Sequence, residues 1–220
     1  MILNPCPSKI TFRRLLKKAI INSEPFKTVL DCASAGDKFL SYFPGKEYYS
    51  VDKNAELIKE AIHRNADNCN CHFICDNLLF FERLDKDRQY GLVVSTHTLS
   101  HIAESDKNKV LTNLVNKVGI GGSFILQCSA DELSYVSLYV HRFDVVVNKL
   151  YRGMLTLAFE RFLFWVYDVG TIEKLGNEGR LLLYQKTRMI VLLLSFFVSF
   201  FDCFFSPKSC VIHFKNKIKV

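Results

Sequence analysis

Apolar residues recur through the first half of this chain in two rhythms that take turns. Phe26–Asp31 (FKTVLD), Glu47–Asp52 (EYYSVD), His72–Asp76 (HFICD), Tyr90–Ser95 (YGLVVS) and Ser123–Cys128 (SFILQC) are short apolar runs of strand character. Between them the period becomes helical. Asn54–Asn65 gathers Leu57, Ile58, Ala61 and Ile62 on one face, and Asp106–Val118 gathers Val110, Leu111, Leu114, Val115 and Val118. Ser8–Asn22 sets Phe12, Leu15, Leu16, Ala19 and Ile20 against Arg13, Arg14, Lys17 and Lys18, which predicts an amphipathic helix with a basic face. Strands alternating with helices predict an α/β sandwich of three layers around a mostly parallel sheet. Beyond Cys128 the rhythm weakens. Phe143–Lys149 and Arg180–Lys186 are strand candidates, and the aromatic stretch Met154–Val169 fits helix or strand.

Three of the predicted strands end in acids, Asp31, Asp52 and Asp76. In a parallel sheet, ligands bind beyond the carboxyl ends of the strands, so these acids are candidate ligand contacts rather than solvating charges. The first is followed by small residues, Ala33, Ser34, Ala35 and Gly36, which let the backbone approach a ligand closely. Asp52 closes the second strand, where an acid accepts hydrogen bonds from a ribose. Asp76 and Asn77 follow the third, where a carboxylate and an amide meet an adenine amino group.

Composition narrows the chemistry. The chain has 220 residues, 49% hydrophobic and 23% charged, which excludes a disordered or collagen-like chain. Its eight cysteines are scattered, several inside apolar runs, and no apolar leader opens the chain, so a reducing, cytoplasmic setting is expected. Cys69, Cys71, His72 and Cys75 lie close in sequence, but no second ligand pair at metal spacing follows, and no metal is expected. His97-Thr-Leu-Ser-His101 has the spacing of a zinc helix but carries Thr98 where the glutamate base belongs. Nucleophile-elbow, Walker A and dinucleotide glycine motifs are missing.

Taken in order, these segments resemble the class I S-adenosylmethionine-dependent methyltransferases, a Rossmann-like domain of the type 11/12 kind. The likeness runs from Phe26 to Cys128, with an extension to Lys186. VLDCASAGD (Val29–Asp37) is similar to the family's first motif, YYSVDKNAELIKEA (Tyr48–Ala61) to its second and FICDNL (Phe73–Leu78) to its third. YGLVVSTHTLSHI (Tyr90–Ile102) is similar to the fourth strand and its loop, and KVGIGGSFILQ (Lys117–Gln127) to the fifth strand, with Gly121-Gly122 as the turn before it. The resemblance implies S-adenosylmethionine as cofactor. It implies that Asp31 orders the amino-acid portion, that Ala33, Ala35 and Gly36 supply close backbone, and that Asp52 holds the ribose. It further implies that Asp76 and Asn77 address the adenine and that Ser95 lines the floor under the sulfonium. His97 and His101 follow the fourth strand and are the candidate bases. The loop departs from the family, because Ala33, Ala35 and Asp37 stand where three glycines are usual. Alanine allows the same close approach where φ is negative, whereas a carboxylate at Asp37, near the methionyl end, would either pair with the amino group or weaken cofactor binding.

The remaining features bear on partners. The net charge of +7 is concentrated at the ends. Met1–Lys27 carries six basic residues against Glu24, and Met189–Val220 four against Asp202, which leaves the middle near neutral. With no basic–aromatic patch, a small-molecule or lipid acceptor is expected rather than nucleic acid. The apolar run Met189–Phe205 with its basic flanks predicts a helical tail, either packed on the domain or lying on a membrane surface. The expected organisation is an N-terminal helix (1–25), a methyltransferase domain (26–188) and an apolar, basic tail (189–220). The second functional reading is a binding or scaffold protein of the same fold, attached to a membrane through that tail.

Overall fold

The computed structural model describes residues 7–129, 131–139, 143–151, 194, 197–198 and 209–216. Its elements are α1 (Pro7–Ser23), β1 (Thr28–Cys32), β2 (Glu47–Asp52), α2 (Ala55–Arg64), β3 (Cys71–Cys75), β4 (Tyr90–Thr96), α3 (Lys107–Asn116), β5 (Val118–Ser129), α4 (Leu133–Ser137), β6 (Phe143–Tyr151) and β7 (Ser209–Asn216). The chain divides into two compact units. One comprises Met1–Leu15 and Leu150–Cys210; the other, Leu16–Lys149 and Val211–Val220, holds the crevice described below. The predicted strand Arg180–Lys186 and the aromatic stretch Met154–Val169 lie outside the described residues.

The strands form one seven-stranded, mostly parallel sheet in the order β3-β2-β1-β4-β5-β7-β6. The pairs β1–β2, β1–β4, β2–β3 and β4–β5 are parallel. This is the Rossmann-like α/β arrangement that the alternation of periods predicts. The inner strands are apolar because both faces are covered: Val29, Leu30, Val51, Leu92, Val93, Val94, Ile125 and Leu126 are buried. The strand order reverses between β1 and β4. The loops leaving these two strands therefore part at their carboxyl ends and open a crevice.

Local chemistry explains the helix next to that crevice. Asn54 caps α2, its side chain accepting from the N–H groups of Glu56 and Leu57, with Glu56 in the first turn and Arg64 in the last. The buried stripe of α2 is narrower than predicted. Ile58 and Ala61 are buried, whereas Ile62 lies off the stripe and is exposed. The predicted turn at Gly121-Gly122 is instead an irregularity within β5, where the register passes from Tyr90↔Val118 to Leu92↔Ser123. Gly121 there has φ +70, and a Cβ on Gly122 would stand 2.9 Å from the Gly119 carbonyl oxygen, so both positions require glycine.

The second correction concerns the tail. Ser209–Asn216 is not helical tail but strand β7, inserted between β5 and β6. Burial explains the insertion: Val211, Ile212, His213 and Phe214 are all buried, and Phe214 stacks on Phe124 with ring centroids 6.0 Å apart. His213 Nε2 lies 3.0 Å from Ser23 Oγ and 3.1 Å from Ser123 Oγ, and burial pushes this imidazole down to about 4. Most of the run 189–208 lies outside the described residues. No helix among the described residues is long and apolar enough to cross a membrane.

Candidate active site

The loop after β1 forms one wall of the crevice, and it is stitched to β2. Ala33 N–H donates to the Val51 carbonyl at 2.8 Å and Ala35 N–H to Asp52 Oδ2 at 2.9 Å. Ser50 Oγ donates to the Gly36 carbonyl at 2.5 Å, so the 2.5 Å contact between Ser34 and Ser50 has Ser34 as donor. These bonds impose a conformation the sequence did not predict. Ala33 and Ala35 both have positive φ, 54° and 50°, followed by Gly36 at 87°. An L-residue in the left-handed region costs roughly 1–2 kcal/mol. The loop therefore keeps a backbone path suited to glycines while carrying two methyl groups. At Gly36 a Cβ would lie 3.0 Å from the Leu57 carbonyl oxygen and 3.2 Å from Ala61 Cβ, because α2 packs on bare backbone there.

Asp37 is engaged by the end of α2. Its carboxylate accepts from Arg64 Nη2 at 2.8 Å, Arg64 Nε at 3.1 Å and Asn65 Nδ2 at 2.9 Å. The Arg64 hydrogen bonds hold it below the usual carboxylate range, so its charge is engaged by the end of α2.

Asp52, at the end of β2, accepts from Ala35 N–H and, through Oδ1, from Asn54 N–H at 2.9 Å. It is half-buried, and each oxygen retains a lone pair for an incoming hydroxyl. Asp31 is fully buried at the end of β1. Its Oδ2 accepts from the Tyr48 hydroxyl at 2.6 Å, whereas Oδ1 finds no donor among the described residues. Burial raises Asp31 to about 7, against the opposing pull of the Tyr48 hydrogen bond.

The acid after β3 serves the chain itself. Asp76 Oδ1 accepts from the N–H groups of Asn77 at 2.7 Å and Glu82 at 3.1 Å. Oδ2 accepts from Arg83 at 2.8 Å and Leu84 at 3.0 Å. Burial opposes ionisation here, but the four amide bonds outweigh it and hold the carboxyl below its usual range. Asp76 thus organises the loop 77–84, and Asn77, whose Oδ1 accepts from Leu79 N–H, is the exposed residue beside it.

The other wall follows β4. Ser95 is fully buried, and its hydroxyl donates to Thr98 Oγ1 at 2.7 Å, tying the start of the loop beside Cys32, its register partner on β1. His97 is exposed and left-handed (φ 57°), with its N–H donating to Gln127 Oε1 at 2.5 Å. Strain of this kind gathers at functional sites. His101 is exposed at the end of the single turn Leu99–His101. Both histidines thus lie on the loop that borders the crevice. Among the described residues no three His, Cys, Asp or Glu side chains stand close enough together to hold a metal ion.

The fold so built is also found in solved methyltransferases. The chain has the class I methyltransferase fold. It matches the N-methyltransferase NodS from Bradyrhizobium japonicum WM9, solved with S-adenosyl-L-homocysteine, with a TM-score of 0.62 over 96% of this chain and 88% of that one, at 11% identity. It matches magnesium protoporphyrin IX methyltransferase (ChlM) from Synechocystis PCC 6803, solved with bound S-adenosylmethionine, with a TM-score of 0.53 over 66% and 73%, at 14% identity. The glycopeptide N-methyltransferase MtfA, complexed with S-adenosylmethionine, gives 0.52 over 68% and 88%, at 12% identity. No protein-family model and no curated protein matches the sequence.

Within the methyltransferase fold, sequence reasoning missed Tyr48, Thr98 and Gln127. Tyr48 carried the best signal, since it stands two residues before Ser50, the register partner of Asp31, and so on the same face of β2. Gln127 sits at the carboxyl end of β5, level with Thr96, but a lone glutamine there has no distinguishing spacing.

Proposed function

We propose that the chain is a methyltransferase that binds S-adenosylmethionine in the crevice between β1 and β4 and transfers its methyl group to a small-molecule or peptide acceptor. The observation that carries this reading is the orphaned oxygen of Asp31 at the point where the strand order reverses. A buried carboxylate oxygen without a donor is costly, and an ammonium group from a ligand would satisfy it. The residues present fit the cofactor. Asp52 has lone pairs for the two ribose hydroxyls, the bare backbone of Gly36 gives close approach, and Asn77 offers an amide to the adenine. Asp76 is left with its loop. When bound, the sulfonium supplies an already activated methyl group, so the protein's task is to orient the acceptor and exclude water. Ser95 and Thr98 make a rigid floor, and His97 and His101 stand where a base would take a proton from an acceptor that must lose one. The small-molecule and peptide methyltransferases among the structural neighbours support a non-nucleic-acid acceptor.

Calorimetric titration with S-adenosyl-L-homocysteine tests the reading. Binding by the native chain is expected, with a loss of about 100-fold or more in Asp52→Ala, since two hydrogen bonds to a charged acceptor disappear. No binding by the native chain would end it. The left-handed alanines favour a second reading, a binding protein that keeps the fold without turnover. Cofactor binding with no label transferred from methyl-labelled S-adenosylmethionine to small-molecule, peptide or lipid fractions would select that reading.

A further inference from the structure

The contact between Tyr48 and Asp31 is a diagonal cross-strand pair in the interior of the sheet. Asp31 lies opposite Ser50, and Tyr48 is the next residue on the same face of β2. Both side chains are buried, and the phenol donates to Oδ2 at 2.6 Å. The ring cannot drift. It stacks on Phe43 with centroids 5.7 Å apart and meets Phe73 edge-on at 6.4 Å. A carboxylate held by one oxygen in this way presents the other in a single direction, and that other oxygen has no donor among the described residues.

We propose that Tyr48 is a positioning residue for ligand binding: it holds Asp31 by Oδ2, aims Oδ1 at the ligand's α-ammonium group, and thereby makes binding of the amino-acid portion coupled to release of a proton from Asp31. This rests on the reading of the crevice as an S-adenosylmethionine site. The coupling has a definite sign. Burial raises Asp31 to about 7, so below that pH the free carboxyl is protonated and must lose its proton before it can accept from a cation. The other groups acting on Asp31 are few. Tyr48 from β2 and Lys38 from the loop after β1 pull it down, and Asp52 at the end of β2 pushes it up. Cys32, its neighbour on β1, is a neutral buried thiol, and β4 presents Val94 at its register position. Behind the phenol, Asp37 and Cys71 act on Tyr48 rather than on Asp31 directly, and together with burial and Asp31 itself they keep the hydroxyl protonated.

The test compares two ligands across pH 5.5–8.5 by calorimetry on the full chain: S-adenosyl-L-homocysteine, which carries the ammonium, and 5′-methylthioadenosine, which lacks the amino-acid portion. In the native chain, affinity for the first is expected to fall roughly tenfold per pH unit below about 7, while affinity for the second stays flat. Tyr48→Phe removes a hydrogen bond that favours the ionised carboxyl. It is expected to move the turning point to higher pH, to weaken S-adenosyl-L-homocysteine about tenfold at pH 7 with recovery by pH 8.5, and to leave methylthioadenosine unchanged. Asp31→Asn keeps the shape and is expected to abolish the pH dependence. A Tyr48→Phe turning point that coincides with the native one, or equal losses for both ligands, overturns the inference. Flat binding of both ligands by the native chain also overturns it while leaving the cofactor reading intact. Binding of neither sinks the cofactor reading and the inference with it.

Discussion

The two ends of one sheet obey opposite rules. At the amino ends of β1, β2 and β3, a cleft of about 530 Å³ is lined by Lys27, Lys46, Glu47, Asn70 and His72, and its charges answer one another. Glu47 Oε1 accepts from the Tyr49 hydroxyl at 2.6 Å and from Arg88 at 2.9 Å, with His72 at 3.6 Å. The Tyr49 ring stacks on His72, with centroids 4.4 Å apart, and carries the Arg88 guanidinium at 4.2 Å. Lys46 meets Glu24 at 3.0 Å, and Lys117 Nζ donates to the Asp85 and Lys86 carbonyls. Among the described residues the buried polar atoms without a partner away from the crevice, the Tyr90 hydroxyl and His213 Nδ1, belong to neutral groups. At the carboxyl ends, by contrast, Asp31 keeps a bare oxygen and Ala33, Ala35 and His97 stand in the left-handed region. An open cleft is therefore not by itself a site. The end left locally inconsistent is the one we propose a ligand completes.

The contrast can be broken by substitution, and the largest expected effect is at Asp31. Its folded-state pKa is raised, so its contribution to stability is present below 3.8 and is lost as pH rises through about 7. Asp31→Asn, which cannot ionise, is expected to raise the stability of the ligand-free chain at pH 8 by on the order of 3 kcal/mol, shrinking to little at pH 4. Urea denaturation of both proteins across this range measures the difference. A variant less stable than the native chain at pH 8 would remove the idea that this end stores an unfavourable charge. Next come Ala33→Gly and Ala35→Gly. Each relieves a left-handed alanine and raises the entropy of the unfolded chain, for a net gain of about 0.5–1 kcal/mol. Urea midpoints that fall instead would mean the methyl groups pack well enough to offset the strain. The smallest effect is expected at the far end. Glu47→Gln breaks a partly exposed network and should cost under about 1 kcal/mol, with no change in affinity for S-adenosyl-L-homocysteine. A change in that affinity would show the two ends to be coupled.

What the sequence revealed follows from how local each feature is. The strands β1 to β5 were legible because inner parallel strands are apolar runs, and α2 because its apolar residues keep a helical period. Acids at strand ends were visible too, but a carboxylate that keeps lone pairs free is written with the same letter as one that holds its own loop. Asp52 and Asp76 differ only in what the folded backbone brings to them. The left-handed alanines were hidden because the usual marker of positive φ, glycine, is replaced there. The Tyr48–Asp31 contact and the Arg64–Asp37 ion pair join residues that only the register of β1 on β2 and the docking of α2 bring together.

The insertion of β7 between β5 and β6 has a consequence for the order of assembly. The strands from β1 to β5 follow one another in the chain without waiting for residues beyond Ser129, so they can pair as they are made. β6, although it comes next from the ribosome, has no place beside β5, because the neighbour of both is β7, and β7 begins only at Ser209. Until then the flank of β5 is an open edge of the kind that invites intermolecular pairing. The half of the sheet that holds the crevice is complete early, and the chain's exposure to aggregation is governed by how soon residues 209–216 arrive to close the other half.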